Sequence, residues 1–410
     1  MLLQLISQQS ITTETFISDL QEYIDESAIV YSGSYGNLCV SKSIWHNGVT
    51  YITAKGNNPT EDPYLLRWKN GVMSSIKVGF IDYEDALSHQ NATILIIDDY
   101  IYIFCVNGHG ESIKIWKSNT IDMLDGFSLH HTIVGNFGYC NTEIYDGNVV
   151  ITSRVTDNQT YIYSQVLLVS DGSDLTTWDK INTTDADYSN TDVRHYPSMI
   201  KHYGYNEWHY SGISLRNDDE SPQVYFGKAI YKTKDFTTVY NLDETFSKDI
   251  SSTPLTVSEI EDYFMISGTN TAKTTYNGTM SAIAINDIIY TATYENSQWS
   301  YLKIVNGSIT KTDCELPDLP TTANGGYHFI FYFNGINIVF QSRGKIYATD
   351  LNFTTIEEKF EYYELGEPTG ANTTVLPANL DEIYGKYIIG GSSLEEGVVP
   401  YYISNKKFFI

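Results

Sequence analysis

The chain has 410 residues, of which 50 are acidic and 25 are basic, and its formal net charge is −25. This excess of negative charge argues against binding that depends on a nucleic-acid backbone or an anionic membrane. Aromatic residues make up 14% of the chain and charged residues 18%, which excludes disorder caused by a lack of core-forming side chains. We therefore expect a folded protein with neither nucleic acid nor membrane among its partners.

The first element predicted along the chain is a helix over residues 12–25. One helical face carries four apolar residues, Phe16, Leu20, Tyr23 and Ile24. The preceding residues 1–9 lack the basic start and the long apolar stretch of a secretory signal, and no run of about 18 apolar residues predicts a membrane span. We expect residues 1–27 to form an N-terminal helical extension.

From about residue 28 onward the pattern changes to short alternating strands, which predicts an all-β fold. A turn followed by an apolar strand recurs seven times, at Asn47-Gly48, Asp98-Asp99, Asp146-Gly147, Gly204, Asn286-Asp287, Asn334-Gly335 and Gly385. The spacing is mostly that of a propeller blade, about 40 to 50 residues, with an insertion near residues 244–262. We predict one seven-bladed β-propeller over residues 28–410.

A second repeated pattern consists of Asp or Asn, an apolar residue, two threonines and a large apolar residue. It occurs at residues 174–178, 235–239 and 352–356. We expect the first side chain to close a turn on backbone N–H groups and the last to fill the core of a blade. These segments resemble the Asp-box turns of BNR-repeat propellers, whose role is to stabilise blades.

Two histidines flank a predicted hairpin. His89 precedes a strand over residues 93–97, and His109 follows a strand over residues 100–105. Antiparallel pairing brings the open ends of two such strands together. We therefore expect both imidazoles at one end of the ring, near its central channel.

The next two predicted blades place more polar side chains at this same end. Tyr139 precedes an inner strand, Arg154 follows the strand over residues 149–152, and Tyr196 begins the next blade beside Arg194. A single tyrosine or histidine in such a position is usually structural. The hypothesis of a functional site therefore depends on the whole cluster.

The segment from Asp82 to Gly110 resembles the BNR-repeat propellers that include ulvan lyases and related polysaccharide lyases. In that family a His-Asn motif opens one hairpin and a Gly-His motif closes it, as His89, Asn91 and His109 do here. A Tyr, an Arg and a Tyr-Pro follow in the family, as Tyr139, Arg154 and Tyr196 do in this chain. The resemblance covers roughly residues 30–345. The chain departs from it at Ser88, where an acidic residue is common, and at Cys140, where Pro is more usual.

The resemblance implies cleavage of a uronic-acid polysaccharide by β-elimination. Arg154 would neutralise the C6 carboxylate through its bidentate fork, assisted by His109. His89, with an ordinary pKa near ~6.5, would remove the C5 proton. Tyr139 would protonate the leaving oxygen, provided that nearby cations lower its pKa.

The remaining candidate residues would bind the substrate. They are Tyr196, which positions a sugar ring, Arg194, which adds positive charge, and Asn91. The reaction needs no redox cofactor, and a bound cation would be structural. Acidic clusters at residues 185–187 and 218–220 lack the ligand spacing of a calcium loop, so we interpret them as solvated turns.

The four cysteines, Cys39, Cys105, Cys140 and Cys314, have no C-x-x-C spacing. They predict neither a zinc site nor a disulfide framework. We interpret them as buried free thiols.

One alternative is a propeller without catalytic activity that binds a glycan or a receptor as part of a virus particle. The absence of a signal peptide, the N-terminal helix that would dock on other virion proteins, and the aromatic surface favour this setting. It is compatible with lyase activity, because phage tail proteins often combine binding with depolymerisation. The protein would then occupy the virion surface or the extracellular space, after a cytoplasmic stage before assembly.

A sialidase and a purely structural propeller both explain less of the sequence. A sialidase needs three arginines around one carboxylate, and this chain has five arginines in all and no N-terminal Arg-Ile-Pro type motif. A purely structural propeller that binds proteins would leave the His, Tyr and Arg cluster as coincidence. The sequence therefore favours an anionic polysaccharide as the partner.

Overall fold

In the residues that it describes, the computed structural model consists mainly of β-strands, as the alternating pattern predicts, and contains one short helical segment. It describes residues 31–32, 43–47, 49–56, 63–69, 72–79, 91–106, 111–120, 125–156, 163–185, 193–217, 224–268, 281–295, 298–316, 330–333, 335–342, 345–361, 374–377, 387–390 and 401–404. The predicted helix over residues 12–25 and the boundary after residue 27 lie outside these ranges. Within them, no helix is long and apolar enough to cross a membrane.

The first two sheets contain five and seven strands. The five-stranded sheet comprises β1 (Tyr31–Ser32), β2 (Ser43–His46), β3 (Val49–Gly56), β4 (Pro63–Lys69) and β5 (Val72–Lys77). The seven-stranded sheet comprises β6 (Asn91–Ile97), β7 (Tyr100–Val106), β8 (Glu111–Ser118), β9 (Phe127–Tyr145), β10 (Asn148–Thr156), β11 (Tyr163–Ser170) and β12 (Trp178–Asn182). The first part of β9 pairs with β8 and its second part with β10, so this strand ends one meander and begins the next.

The third sheet contains ten strands, and the helical segment lies between two of them along the chain. Its strands are β13 (Val193–Tyr203), β14 (His209–Asn217), β15 (Val224–Thr233), β16 (Thr238–Tyr240), β17 (Ser247–Asp249), β18 (Met265–Gly268), β19 (Ala282–Ile285), β20 (Ile288–Glu295), β21 (Gln298–Val305) and β22 (Ser308–Asp313). Helix α1 (Val257–Glu259) begins at a capping box made by Thr256 and Glu259, and a π-helical segment (Ile260–Phe264) continues it. The insertion predicted near residues 244–262 therefore contains β17 and this helical segment.

The last two sheets contain four and three strands. They comprise β23 (Ile330–Phe333), β24 (Ile338–Ser342), β25 (Lys345–Thr349) and β26 (Ile356–Glu361), then β27 (Thr374–Pro377), β28 (Tyr387–Gly390) and β29 (Tyr401–Ser404). The described strands group into seven successive meanders. We call them units 1 to 7, and they begin at β2, β6, the second part of β9, β13, β19, β23 and β27.

The predicted turns join the first two strands of units 1 to 6. Asp98 and Asp99 both have left-handed backbone angles, as do Asp146 with Gly147 and Asn286 with Asp287. Tight hairpins need this conformation because it matches the twist of the paired strands, and Asn, Asp and Gly adopt it at low cost. The turn predicted at Gly385 lies outside the described residues.

A separate apolar core lies between each pair of consecutive units from 1 to 6. Strand β7 shows the reason: Phe104 belongs to the core shared with unit 3, whereas Ile103 belongs to the core shared with unit 1. Successive side chains of a strand point to opposite faces of its sheet. Each internal unit therefore buries both of its faces against its neighbours.

The first strands of the units follow one another in space. Strand β2 contacts β6, β6 contacts β9, β9 contacts β13, β19 contacts β23, and β23 contacts β27, which also contacts β2. Strands β13 and β19 pair in parallel, from Ile200 opposite Ala282 to Tyr203 opposite Ile285. The first hairpins of units 4 and 5 therefore open toward the same end of the molecule.

The three Asp-box-like segments share one geometry, which differs in part from the expectation. The apolar second residue of each, Leu175, Phe236 or Phe353, has a left-handed backbone angle and is buried. Asp235 accepts the backbone N–H groups of its turn, as expected. In the third segment this acceptor is Asp350, and Asn352 instead accepts from Lys303. The last residue contacts the core as expected: Val239 is fully buried, and Trp178 and Ile356 are partly buried and pack against the core. The second residue is an additional core contact that the expectation did not include.

A buried polar contact joins units 3 and 4. Glu143 of β9 lies 2.8 Å from His202 Nδ1 and 2.6 Å from His209 Nε2. Burial raises the pKa of this carboxyl, but the two imidazoles outweigh burial and lower the pKa to about 2. The ionised form of Glu143 therefore stabilises the contact between the two units.

We predict that acid weakens this contact through Glu143. The folded-state pKa is below the unfolded value of 4.5, so the stabilisation is complete above pH 4.5 and is lost as the pH falls through about 2. The loss is on the order of 3 kcal/mol. The free energy of unfolding, measured by urea denaturation at several pH values in this range, should change less with pH for Glu143→Gln than for the parent. Glu207→Gln, which alters an exposed pair with Lys234, is the control and should keep the parent slope.

Candidate active site

A β-bulge in β9 produces the central feature of the candidate site. Asn141 pairs with Thr152 and Gly138 pairs with Arg154, so Tyr139 and Cys140 together lie opposite one residue of β10. Tyr139 has a φ of 54°, in the left-handed region that tyrosine rarely adopts. Bulges redirect side chains next to active sites, and strained residues persist where their surroundings hold them. The sequence placed Tyr139 before an inner strand, whereas the structure places it inside β9.

The side chain of Ser153 stabilises this bulge. Ser153 is the single residue of β10 that faces the bulge, and its hydroxyl donates to the carbonyl of Gly138 over 3.0 Å. The side chain thus supplies a hydrogen bond across the position where the strand ladder is interrupted. Its hydroxyl is buried with the strand, so removing it would leave a buried carbonyl with one partner fewer.

Arg154 lies directly over the ring of Tyr139. The guanidinium carbon is 4.4 Å from the ring centroid, which is cation–π geometry. Arg154 is 1% exposed and Tyr139 is 3% exposed, so the pair is closed to solvent in this conformation. Burying a guanidinium costs several kcal/mol, and a desolvated cation–π contact offsets about 2 kcal/mol of this cost. The sequence predicted both residues for the site, and the structure brings them together.

A buried polar network next to Arg154 extends the site toward unit 4. Gln165 lies opposite Arg154 in the sheet, and its side-chain amide donates to Gly212 O of unit 4. The Gln165 backbone N–H donates to the Thr184 hydroxyl, which lies 2.9 Å from His195 Nδ1. Burial lowers the pKa of His195 to about 4, so its imidazole is neutral at neutral pH.

Sequence reasoning did not select this network. His195 stands between Arg194 and Tyr196, two residues that the sequence did select, and it is fully buried. Neighbouring side chains along a strand lie on opposite faces, so a histidine between two residues assigned to the site should have been expected to face the core. No comparable sequence pattern predicted that Gln165 and Thr184 belong to this network.

For the other candidate residues, the structure describes backbone positions. Asn91 begins β6 opposite Val106, so the hairpin that His89 and His109 flank pairs as predicted. His89 and His109 themselves lie outside the described residues. Tyr196 lies opposite Ser214, and Arg194 lies opposite Arg216, in the first hairpin of unit 4.

The described residues offer no alternative centre based on a metal. Within them, no group of three or more His, Cys, Asp or Glu side chains is arranged to hold a metal ion. Cys105, Cys140 and Cys314 are buried free thiols, in agreement with the interpretation from the sequence. Burial raises the pKa of the Cys140 thiol to about 12, so this neighbour of Tyr139 stays protonated and unreactive at neutral pH.

Comparison of the fold finds similar solved structures among polysaccharide lyases. The structure of an ulvan lyase of family PL25 covers 93% of this chain and 95% of its own, with a TM-score of 0.66 and 13% identity. The same kind of lyase bound to -[GlcA(1-4)Rha3S]- has a TM-score of 0.64 over 93% of this chain and 96% of its own, at 13% identity. Polysaccharide lyase Uly1 covers 95% of each chain with a TM-score of 0.59 and 11% identity.

These similarities establish the fold. The described strands have the β-propeller fold of these solved structures. No protein-family model matches the sequence, and no curated protein matches it. At identities of 11 to 13%, these similarities support the fold, whereas the chemistry depends on the residues of the site.

We predict that Ser153→Ala loosens the bulge. The Gly138 carbonyl loses its buried hydroxyl donor, which should lower the free energy of unfolding by about 1–2 kcal/mol, measured by urea denaturation. Thr176→Ala is the control, because the Thr176 hydroxyl bonds Asp174 on an exposed turn and its removal should cost less. Equal losses for the two variants would contradict a special role for Ser153.

Proposed function

We propose that this protein is a seven-bladed β-propeller that binds an anionic, uronate-containing polysaccharide and cleaves it by β-elimination. The observation that carries the proposal is the pairing of Tyr139 with Arg154 at the bulge of β9. A proton donor and a carboxylate-binding cation then lie side by side, at the open end of an inner hairpin. Redox chemistry has no part in this reaction, so no redox cofactor is required.

The number of blades is inferred from the seven units. A four-stranded meander cannot bury both faces alone, and the cores between units 1 to 6 meet this need for the internal units. Units 1 and 7 would each keep one uncovered face unless they packed together. The contacts of β27 with both β23 and β2 support a ring in which they do.

The proposed chemistry assigns one task to each residue near the bulge. Arg154 binds the C6 carboxylate of the uronate, which makes the proton on C5 more acidic. His89 removes that proton, the released electron pair forms the C4=C5 double bond, and the C4–O4 bond breaks. Tyr139 donates its proton to the departing O4, and the guanidinium beside it stabilises the negative charge left on the phenol oxygen. His109 assists Arg154 at the carboxylate.

Substrate entry requires a local movement, because Arg154 and Tyr139 are both buried in this conformation. Closed sites that open for substrate exclude water, and exclusion of water strengthens each charge interaction within them. Asn91 begins β6 of unit 2, and Arg194 and Tyr196 lie in the first part of β13 of unit 4, so they belong to the units on either side of the bulge. We assign them to binding sugar residues that flank the cleaved bond.

Local positive charge must overcome the overall charge of −25, which repels a polyanion at long range. Salt screens this repulsion beyond about 8 Å. Arg154, Arg194, His89 and His109 would then dominate within the pocket. We place the protein on a virion surface or in the extracellular space, where polysaccharide is accessible, with residues 1–27 as the segment that would contact other virion proteins.

The deciding experiment follows the ultraviolet absorbance of the unsaturated uronate product. The substrate panel comprises ulvan, alginate, pectin, glycosaminoglycans and bacterial capsule extracts. We predict that Tyr139→Phe, which keeps the ring over Arg154 but removes the proton, lowers the rate by about 10²- to 10⁴-fold. Arg154→Lys should also lose activity, because Lys cannot bind a carboxylate through a bidentate fork.

Tyr145→Phe is the matched control, since Tyr145 belongs to the same strand but its hydroxyl bonds Glu207 O at the other end of the hairpin. It should leave product formation unchanged. His89→Ala tests the base. A flat trace over the whole panel together with measurable glycan binding would instead favour a propeller that recognises glycans without cleaving them.

A further inference from the structure

The insertion between β16 and β18 presents one aromatic ring to solvent. Tyr263 belongs to the π-helical segment and is 47% exposed, whereas Ile260 and Phe264 of the same segment are buried in the core between units 3 and 4. π-Helical turns are rare and are frequent at functional sites. The geometry of this segment directs Tyr263 outward while its neighbours anchor it.

Among the described residues, one aromatic side chain stacks on the ring of Tyr263. This side chain is Phe246, with a centroid distance of 4.0 Å and an interplanar angle of 8°. Phe246 packs in turn against the edge of Phe264 at 5.6 Å, and its backbone N–H donates to Asn241 Oδ1. The exposed ring therefore lies on a rigid support, and binding a ligand on its open face costs little side-chain entropy.

The charges near this ring disfavour an anionic ligand. Asp262, next in the chain, is exposed, and the cation Lys248 is already paired with Glu259. A flat, rigid, uncharged surface with acidic surroundings suits the apolar C–H face of a neutral sugar ring, which stacks on aromatic side chains. A carboxylate or sulfate at this position would meet like charge and no free cation among these groups.

We propose that the open face of Tyr263 binds uncharged sugar residues of the same glycan chain whose uronates enter the site at Arg154. This inference rests on the proposed function for the identity of the glycan. A second contact on one long chain acts intramolecularly and raises the apparent affinity without touching the reacting bond. Tyr263 is therefore a binding residue outside the catalytic machinery.

Two properties follow from this geometry. The contribution of Tyr263 should appear with long polysaccharide and vanish with oligosaccharides too short to reach both sites. It should also persist when salt is raised, because stacking is not screened, whereas binding through Arg154 weakens. Both properties distinguish the Tyr263 ring, which we call the platform, from the charged site at Arg154.

The test is electrophoresis of the full chain through gels that contain, separately, hyaluronan, in which every second residue is an uncharged N-acetylglucosamine, pectin or bacterial capsule extracts. Alginate, whose residues are all uronates, is the polysaccharide for which Tyr263→Ala should have no effect. Tyr263→Ala should bind long polysaccharide about threefold to tenfold more weakly than the parent, the change expected for one stacking contact. Tyr263→Phe should bind like the parent. Tyr205→Ala is the matched control, because Tyr205 is 79% exposed at the turn between β13 and β14 and should not contribute.

The outcomes separate this inference from the proposed function. Weaker retardation of Tyr263→Ala, at both low and high salt, supports the platform even if no unsaturated product forms. Product formation with equal retardation of Tyr263→Ala and the parent would overturn the platform and leave the lyase standing. Absence of retardation in every gel, or equal effects of Tyr263→Ala and Tyr205→Ala, would also overturn it.

Discussion

The requirement that each sheet cover both of its apolar faces governs this structure. Strand β7 sends Ile103 into one core and Phe104 into another, so unit 2 is stable only between two neighbours. Because the same meander repeats along the chain, each internal unit covers both of its faces through the same kind of contact with its neighbours. The first strands then lie side by side, and residues far apart in sequence, such as Gln165 and Gly212, meet across the boundaries between units.

Buried polar groups lie near these boundaries as well. Glu143 and its two histidines lie near the turns of the first hairpins of units 3 and 4, whereas Tyr139 and Arg154 lie toward the open end of the first hairpin of unit 3. Strand β9 thus carries a residue of each contact, Glu143 and Tyr139. Burial explains both, because it makes each charge interaction stronger than it would be in water.

The sequence predicted the repeat because the residues of tight turns are specific. Asp98-Asp99, Asp146-Gly147 and Asn286-Asp287 adopt the left-handed conformation that their side chains allow. The pairing of Tyr139 with Arg154 was predictable in part, since strand pairing places the two residues at one end of a hairpin. The bulge was not, because it depends on how β9 turns from unit 2 into unit 3. The role of Asp350 in the third Asp-box-like turn was likewise missed, because it stands two residues before the pattern.

Local chemistry in the sequence determined the strand content, the positions of the turns and the residue types available for a site. These properties depend on alternation and turn preference, which act over a few residues. Tertiary structure alone decided that Arg154 is buried over Tyr139, that His195 is neutral beside Thr184, and that Tyr263 stacks on Phe246. Each of these contacts depends on side chains from different strands or on a local break in regular geometry, and the pattern within one segment does not specify either.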